Sequence, residues 1–306
     1  MEQNKMLTGH LTAAFTVFVW GTTFISTKIL LQALSPIEIL FSRFILGFIA
    51  LYLAYPHRLQ IRDKQQQFVF AAAGLCGITL YYLLENIALT YSLASNVGVI
   101  ISISPFFTAL FAHWFLKGER LRLSFFIGFA AAITGITLIT FSSSSVLHLD
   151  PFGDLLAIGA AIVWSFYSIL TRKISAYGYP AVAATRHIFF YGLLFMLPAL
   201  YIFDFHPDIA VFSNTVVLCN LLFLGLAASA LCFVTWTIAV NILGAVRTSI
   251  YIYLVPVITV ICSTLILSEQ ITPLAAIGIL LTLSGLLISE GRLGSYIQAL
   301  RSTHLS

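Results

Sequence analysis

The feature that most limits this chain is a run of about 20 apolar residues that recurs along its whole length. A bilayer core calls for roughly 20 such residues per helix. Windows of that size, punctuated by proline, glycine and charge, fall near 9–31, 36–55, 68–90, 94–116, 123–142, 152–172, 180–203, 214–239, 244–267 and 273–290. They predict ten membrane-spanning helices with short loops and no segment long enough for a soluble domain. Only 8% of the 306 residues are charged, against about 25% in a soluble globular protein. Lipid is therefore the expected solvent for most of the surface. No small-residue cleavage site follows the first apolar run, which reads as a retained helix and not a signal peptide. Cys76, Cys219, Cys232 and Cys262 lie in apolar runs without CxxC spacing and read as packing residues.

Charge gives the direction of threading. Cytoplasmic loops collect Lys and Arg. With the N-terminus inside, Lys5, Arg58, Arg62, Lys64, Lys117, Arg120, Arg122, Arg172, Lys173, Arg247, Arg292 and Arg301 fall inside or at inner helix ends. The outer loops then hold Asp150, Asp204, Asp208 and Glu269, and Lys28 is the basic residue near that side. An even number of spans returns the C-terminus to the cytoplasm.

The chain also resembles itself. GHLTAAFTVFVWG (9–21) aligns with GDLLAIGAAIVWS (153–165), matching Trp20 to Trp164. Pro36 pairs with Pro180, Pro105 with Pro256, and Gly128 and Gly135 with Gly278 and Gly285. The expected fold is thus an all-α polytopic membrane protein of two five-helix repeats, 1–145 and 146–306. Five is odd, so the second repeat enters the bilayer from the opposite side. Inverted repeats are a common construction of secondary transporters. The heptad-spaced glycines suit close helix packing, within or between chains, away from the solute path.

The Trp-Gly/Ser step in the first span of each half, with SPFFTALFAHWFLKGERL (104–121) and VPVITVICSTLILSEQ (255–270) in the fourth, resembles the EamA-type members of the drug/metabolite transporter superfamily. The resemblance covers nearly the whole chain. It departs where Lys117 lengthens the first copy and where Ser268 replaces Gly118. It implies a carrier of small organic solutes, such as amino acids, other metabolites or drug-like amphipaths, with export the expected direction. Some members carry sugar phosphates or nucleotide sugars instead.

A solute is expected between the halves near the midplane. Thr16, Trp20, Thr23 and Thr27 share one helical face, and Ala160, Trp164, Tyr167 and Thr171 repeat that stripe. They line a cavity or pack helix on helix. Glu85 is the one carboxylate in the third apolar window. A bare carboxylate costs about 3 kcal/mol there by insertion scales. It is a ligand for a substrate amine, a proton carrier, half of a structural ion pair or a protonated packing group. Tyr82 and Asn86 lie beside it on the helix. Arg43 is a candidate partner, and Arg186 is its near-counterpart in the second half; both are gate residues or helix-end anchors. Pro105 and Pro256 interrupt their spans as hinges or static kinks, with Ser102 before the first and Tyr251 and Tyr253 before the second. Ser229, Cys232 and Trp236 form a further stripe, with Trp236 expected at the inner interface. Asn96 reads as a cavity residue or a helix cap.

No GxxxxGK motif, HExxH motif or nucleophile–base pair occurs, so no cofactor, metal, nucleic acid or enzymatic chemistry is expected. A phosphate site wants several converging Lys or Arg residues, and only Arg43 and Arg186 are placed for that. A channel is the other transport class open to such a chain. The expected location is a bacterial inner membrane, with a proton as the candidate coupling ion.

Overall fold

The computed structural model describes residues 2–61, 63–92, 94–116, 123–143, 150–206, 209–267 and 272–289. They form α1 (Glu2–Leu30), α2 (Pro36–Ala54), α3 (Lys64–Tyr91) and the split pair α4 (Ala94–Ile101) and α5 (Ser104–Phe115). Next come α6 (Leu123–Ser143), α7 (Pro151–Ser175), α8 (Ala181–Ile202) and α9 (Thr215–Leu243). The split pair α10 (Ala245–Ile250) and α11 (Leu254–Leu267) and then α12 (Pro273–Ser289) complete the series. Among the described residues six helices, α1, α2, α3, α7, α8 and α9, are long and apolar enough to cross a membrane. Leu123–Ile139, Ala245–Thr259 and Ala276–Ser289 are shorter apolar stretches. Arg62, Lys117, Gly118, Glu119, Arg120, Arg122, Asp208, Ser268, Glu269, Arg292 and Arg301 lie outside the described residues, as does the side chain of Asn96.

Local chemistry starts the helices where the sequence breaks. Ser35 and Glu38 form a capping box on α2, with Ser35 N–H donating to Glu38 Oε2 at 2.7 Å. Asp150 caps α7 by accepting from the amides of Phe152 and Gly153 at 3.0 and 2.8 Å. Asp63 caps α3, and Asn214 caps α9. Gly244, at φ 87°, turns the chain between α9 and α10 in a conformation that disfavours other residues.

The two halves interlock. Exchanging α1 with α7, α2 with α8, α3 with α9, the two split pairs, and α6 with α12 keeps the main helix pairings among the described residues, although α7 also packs on α9 without an α1–α3 contact to match. Thus α1 packs on α9 as α7 packs on α3, and α2 packs on α9 as α8 packs on α3. Likewise α1 meets α11 as α7 meets α4 and α5, while α2 pairs with α8 and α6 with α12. The last pair is the glycine contact, made within one chain. A Cβ on Gly135 would lie 2.5 Å from the Gly278 carbonyl, and one on Gly285 would lie 2.6 Å from that of Gly128. Only hydrogen permits these backbones to approach so closely.

Two π-helical stretches that the periodicity does not announce interrupt α3 at Leu75–Leu80 and α9 at Phe223–Leu231. They carry Gly77 and Gly225 at matching positions of the two halves. Here α3 crosses α8 and α9 crosses α2: a Cβ on Gly74 would meet the Ile188 carbonyl at 2.6 Å, and one on Gly225 the Arg43 carbonyl at 3.1 Å. The prolines expected in mid-span instead follow the breaks. The chain is non-helical at Ser102–Ile103 and turns through a 3-10 step at Tyr251–Tyr253. Pro105 and Pro256 then sit in the first turns of α5 and α11, where a missing amide costs little.

Candidate functional site

The bundle has two chemically distinct ends. One carries Glu38, Asp150, Asp154 and Asp204, with Lys28 as an exception. The other carries Arg58, Lys64, Arg172 and Lys173, with Asp63 as an exception. These are the acidic and basic ends below.

A layer of rings crosses the middle. Trp20 on α1 meets Trp164 on α7 at 5.2 Å between centroids and Trp236 on α9 at 5.1 Å. Trp164 and Trp236 are 5.9 Å apart, and Phe233 touches Trp20 and Trp164 at 5.8 and 6.1 Å. Trp236 is fully buried, which corrects the expected interfacial position. On a 29-residue α9 it lies deep enough to complete the layer. Trp20 Nε1 donates to Ala228 O at 3.0 Å, tying α1 to the π-helical part of α9.

Above this floor, toward the acidic end, a cavity is lined by Trp20, Thr23, Phe24, Tyr81, Tyr82, Glu85, Gly98, Ile101, Ser102, Trp164, Ile252 and Val255. About 40 Å³ is open to the centres of water molecules, enough for a few waters. Both halves contribute, from α1, α3, the α4–α5 break, α7 and the α10–α11 region. Thr23 and Ser102 send their hydroxyls to their own helices, to Trp20 O and Gly98 O, each at 2.7 Å. Their acceptor lone pairs remain for a guest.

Glu85 is the acid of the site. It stands six residues before the end of α3, roughly 9 Å along the axis, and is 7% exposed. The Tyr81 hydroxyl, one turn earlier, is directed at its carboxyl. Its Oε2 is buried without a hydrogen-bond partner. Arg43 is 2% exposed, donates from Nε to Ser229 Oγ at 3.0 Å, and leaves Nη2 buried without a partner. Among the described residues the two charges form no ion pair. The Tyr82 ring lies under the guanidinium at 4.5 Å while also facing the cavity. Arg43 is a cation held behind an aromatic wall.

The expected site residues therefore divide. The structure brings together Trp20, Thr23, Tyr82, Glu85, Ser102 and Trp164. Asn86 points away and donates to Pro36 O at 3.2 Å. Tyr167 lies below the layer, 4.9 Å from Trp164. Tyr251 meets His10 Nδ1 at 2.6 Å in the basic half, and Tyr253 is buried beside Phe129. Arg186 sits near the basic end and donates to the carbonyls of Tyr55 and His57, the latter at 2.6 Å, as an anchor for the end of α2. Helical periodicity passes over Tyr81, although it stands one helical turn from Glu85. It also passes over Phe24, Gly98, Ile101, Ile252 and Val255, which carry no polar signal. Among the described residues no cluster of His, Cys, Asp and Glu could hold a metal ion.

Apolar helices that repeat in two halves and close around a mainly apolar internal cavity with a few polar groups define a multi-pass integral membrane protein with a duplicated fold. The chain belongs to the EamA-like transporter family, which matches residues 7–141 and again 151–290. An uncharacterized transporter of Archaeoglobus fulgidus is 28% identical over 92% of this chain and 97% of its own length. A protein of Streptantibioticus cattleyicolor named a probable terminal-alkyne amino-acid exporter is 28% identical over 90% of this chain and 91% of its own. One from Escherichia coli named a probable amino-acid metabolite efflux pump is 26% identical over 90% and 93%. One solved crystal structure matches with a TM-score of 0.73 at 20% identity, covering 94% of this chain and 96% of that one. That likeness concerns the fold alone. The family is one of transporters, not of enzymes.

Proposed function

We propose that this protein exports a small organic solute bearing an amine, by alternating access, across a bacterial inner membrane. The two repeats, parted near residue 145, thread the bilayer in opposite senses with both termini in the cytoplasm, which places the basic end inside. The observation that carries the reading is Glu85. A carboxylate whose Oε2 has no partner faces a cavity otherwise walled by rings and hydroxyls. An ammonium group would give that oxygen a charge-assisted bond, and Trp20, Tyr82 and Trp164 would take an apolar or aromatic body. The names of the Streptantibioticus and Escherichia relatives favour amino-acid-like solutes.

Two observations weigh against the other transport classes. Among the described residues no Lys or Arg lines the cavity, so phosphorylated or nucleotide-linked solutes lack their counter-charges. The ring layer seals the middle of the bundle, which suits a carrier better than a continuous pore. Half-exchange symmetry in the packing supplies two states of similar energy without further machinery.

The test is counterflow in proteoliposomes with amino acids and their amine and acid analogues. Glu85→Gln should lower the affinity for amine-bearing solutes about 10- to 100-fold, the worth of a charged hydrogen bond. If proton exchange at Glu85 drives the flux, the same variant abolishes its pH dependence. Unchanged affinity in Glu85→Gln would remove the amine reading.

A further inference from the structure

The polar groups below the ring layer are as informative as the cavity above it. Tyr167 and Thr171 on α7 are fully buried, and neither hydroxyl makes a well-formed hydrogen bond. The Tyr167 hydroxyl faces those of Thr171 and of Thr237 on α9, and Thr237 bonds its own Phe233 O at 2.7 Å and approaches Thr185 at 3.4 Å. Buried hydroxyls without partners cost free energy. Such groups call for an explanation, and access by water or a guest in another state supplies one here.

At the basic end of this strip stands Arg172, the last-turn cation of α7. Its Nη1 does not cap its own helix. It crosses to α9 and donates to Asn241 O at 3.0 Å and Val240 O at 3.4 Å. The acidic end has a counterpart. Lys28 on α1 is separated from Arg172 by the same interval that separates Trp20 from Trp164. It too crosses to another helix, and its Nζ donates to Leu89 O of α3 at 3.4 Å. Leu89 and Asn241 each stand two residues before the last of their helices. Equivalent cations thus cross from equivalent helices to the last turns of the paired helices α3 and α9, one on each face, the longer α9 setting Asn241 one turn beyond the register of Leu89. The bond is doubled at the face where the path is shut and single and long at the face where the cavity lies.

We propose that Arg172 and Lys28 are matched bolts of the carrier: each, when engaged on the carbonyl end of the facing helix, closes its half of the path. The half shut here is a second solute chamber lined by Tyr167, Thr171 and Thr237. These three side chains carry no charge, so the chamber passes the solute's hydrogen-bonding groups on through hydroxyls alone. Moving toward the inward-facing state breaks the Arg172 bonds, wets the three hydroxyls and tightens Lys28 on α3. Helix C-termini attract cations by their dipoles alone. A dipole effect by itself requires neither the paired positions nor the crossing to a different helix.

This inference rests on the alternating-access reading, but its test needs no transported solute. In a background without the four native cysteines, Thr171→Cys is labelled with an impermeant maleimide from the basic end, and Ile101→Cys from the acidic end. Arg172→Ala should raise labelling at 171 about tenfold, the scale of a lost charged hydrogen bond, and lower it at 101. Lys28→Ala should move both rates the other way, and Arg172→Lys should restore the first. Arg172→Gln replaces the alanine variant if that one does not fold. Labelling at 171 unmoved by either Arg172 variant, or shifts of the same sign from Lys28→Ala and Arg172→Ala, overturns the bolts. Either result stands whatever Glu85→Gln does to counterflow.

Discussion

The two halves of the path begin from equivalent residues and reach opposite shapes. Trp20 and Trp164 hold the same position in α1 and α7, and three residues further on stand Thr23 and Tyr167. The threonine leaves space at the acidic side. The tyrosine fills the basic side, fully buried against Trp164 and Phe233 at 4.9 and 5.7 Å. On α3 and α9, eight residues beyond the paired glycines Gly77 and Gly225, stand Glu85 and Phe233. One faces the hollow with a carboxylate, and the other packs into the ring layer. Duplication therefore supplies the frame, and the residues that differ between the copies decide which half is hollow and where its charge sits.

Making the copies alike at the filled position is the harshest way to break this contrast. Tyr167→Thr gives the basic side the residue of the acidic side. Emptying a site of that size costs about 3–5 kcal/mol in soluble cores, so the unfolding midpoint in detergent should fall by several degrees. The variant should also become open to labelling at position 171. Normal stability with no new labelling would mean that Tyr167 is not what closes that side. Gly77→Ala tests the same contact from across the interface. Its Cβ would lie 2.5 Å from Tyr167 Cγ, an overpacking of about 1–3 kcal/mol. In the double variant with Tyr167→Thr most of that penalty should vanish, a coupling readable in a thermodynamic cycle. Additive losses would place the strain of Gly77→Ala elsewhere.

How far the site is legible in the sequence follows from the same contrast. The apolar windows announce the helices, because a lipid solvent leaves a segment-long signal. The Trp20 and Trp164 stripe announces the centre, because a tryptophan repeated at the same place in both copies marks a shared layer. Glu85 announces the acid, since nothing else in its window is a carboxylate. What periodicity does not convey is azimuth. Arg43 has the right depth to pair with Glu85, yet it lies behind the Tyr82 ring with Ser229. Tyr251 and Tyr253 have the expected neighbours in sequence, but the 3-10 step turns them to His10 and Phe129. The π-helical stretches shift the register of α3 and α9 and leave no mark beyond a glycine. Depth alone puts Trp236 at the interface, and the length of α9 carries it to the middle instead.

A gentler comparison sets the paired tryptophans against each other. Trp20 spends its indole N–H on Ala228 O, whereas Trp164 Nε1 is buried without a partner. The two rings are near-perpendicular neighbours in one layer, so Trp→Phe at either position removes similar packing. Only Trp20→Phe also removes a hydrogen bond, for about 1 kcal/mol beyond its partner variant. In paired melts Trp20→Phe should therefore unfold before Trp164→Phe. The order should invert in counterflow if the free indole N–H serves the solute: Trp164→Phe then raises the half-saturating concentration more than Trp20→Phe does. Equal melts would show that the Trp20 bond adds nothing to the junction of α1 and α9. Equal counterflow would assign the unpaired N–H of Trp164 to the closed chamber below, and Thr171→Val should then weaken exchange as much as Trp164→Phe.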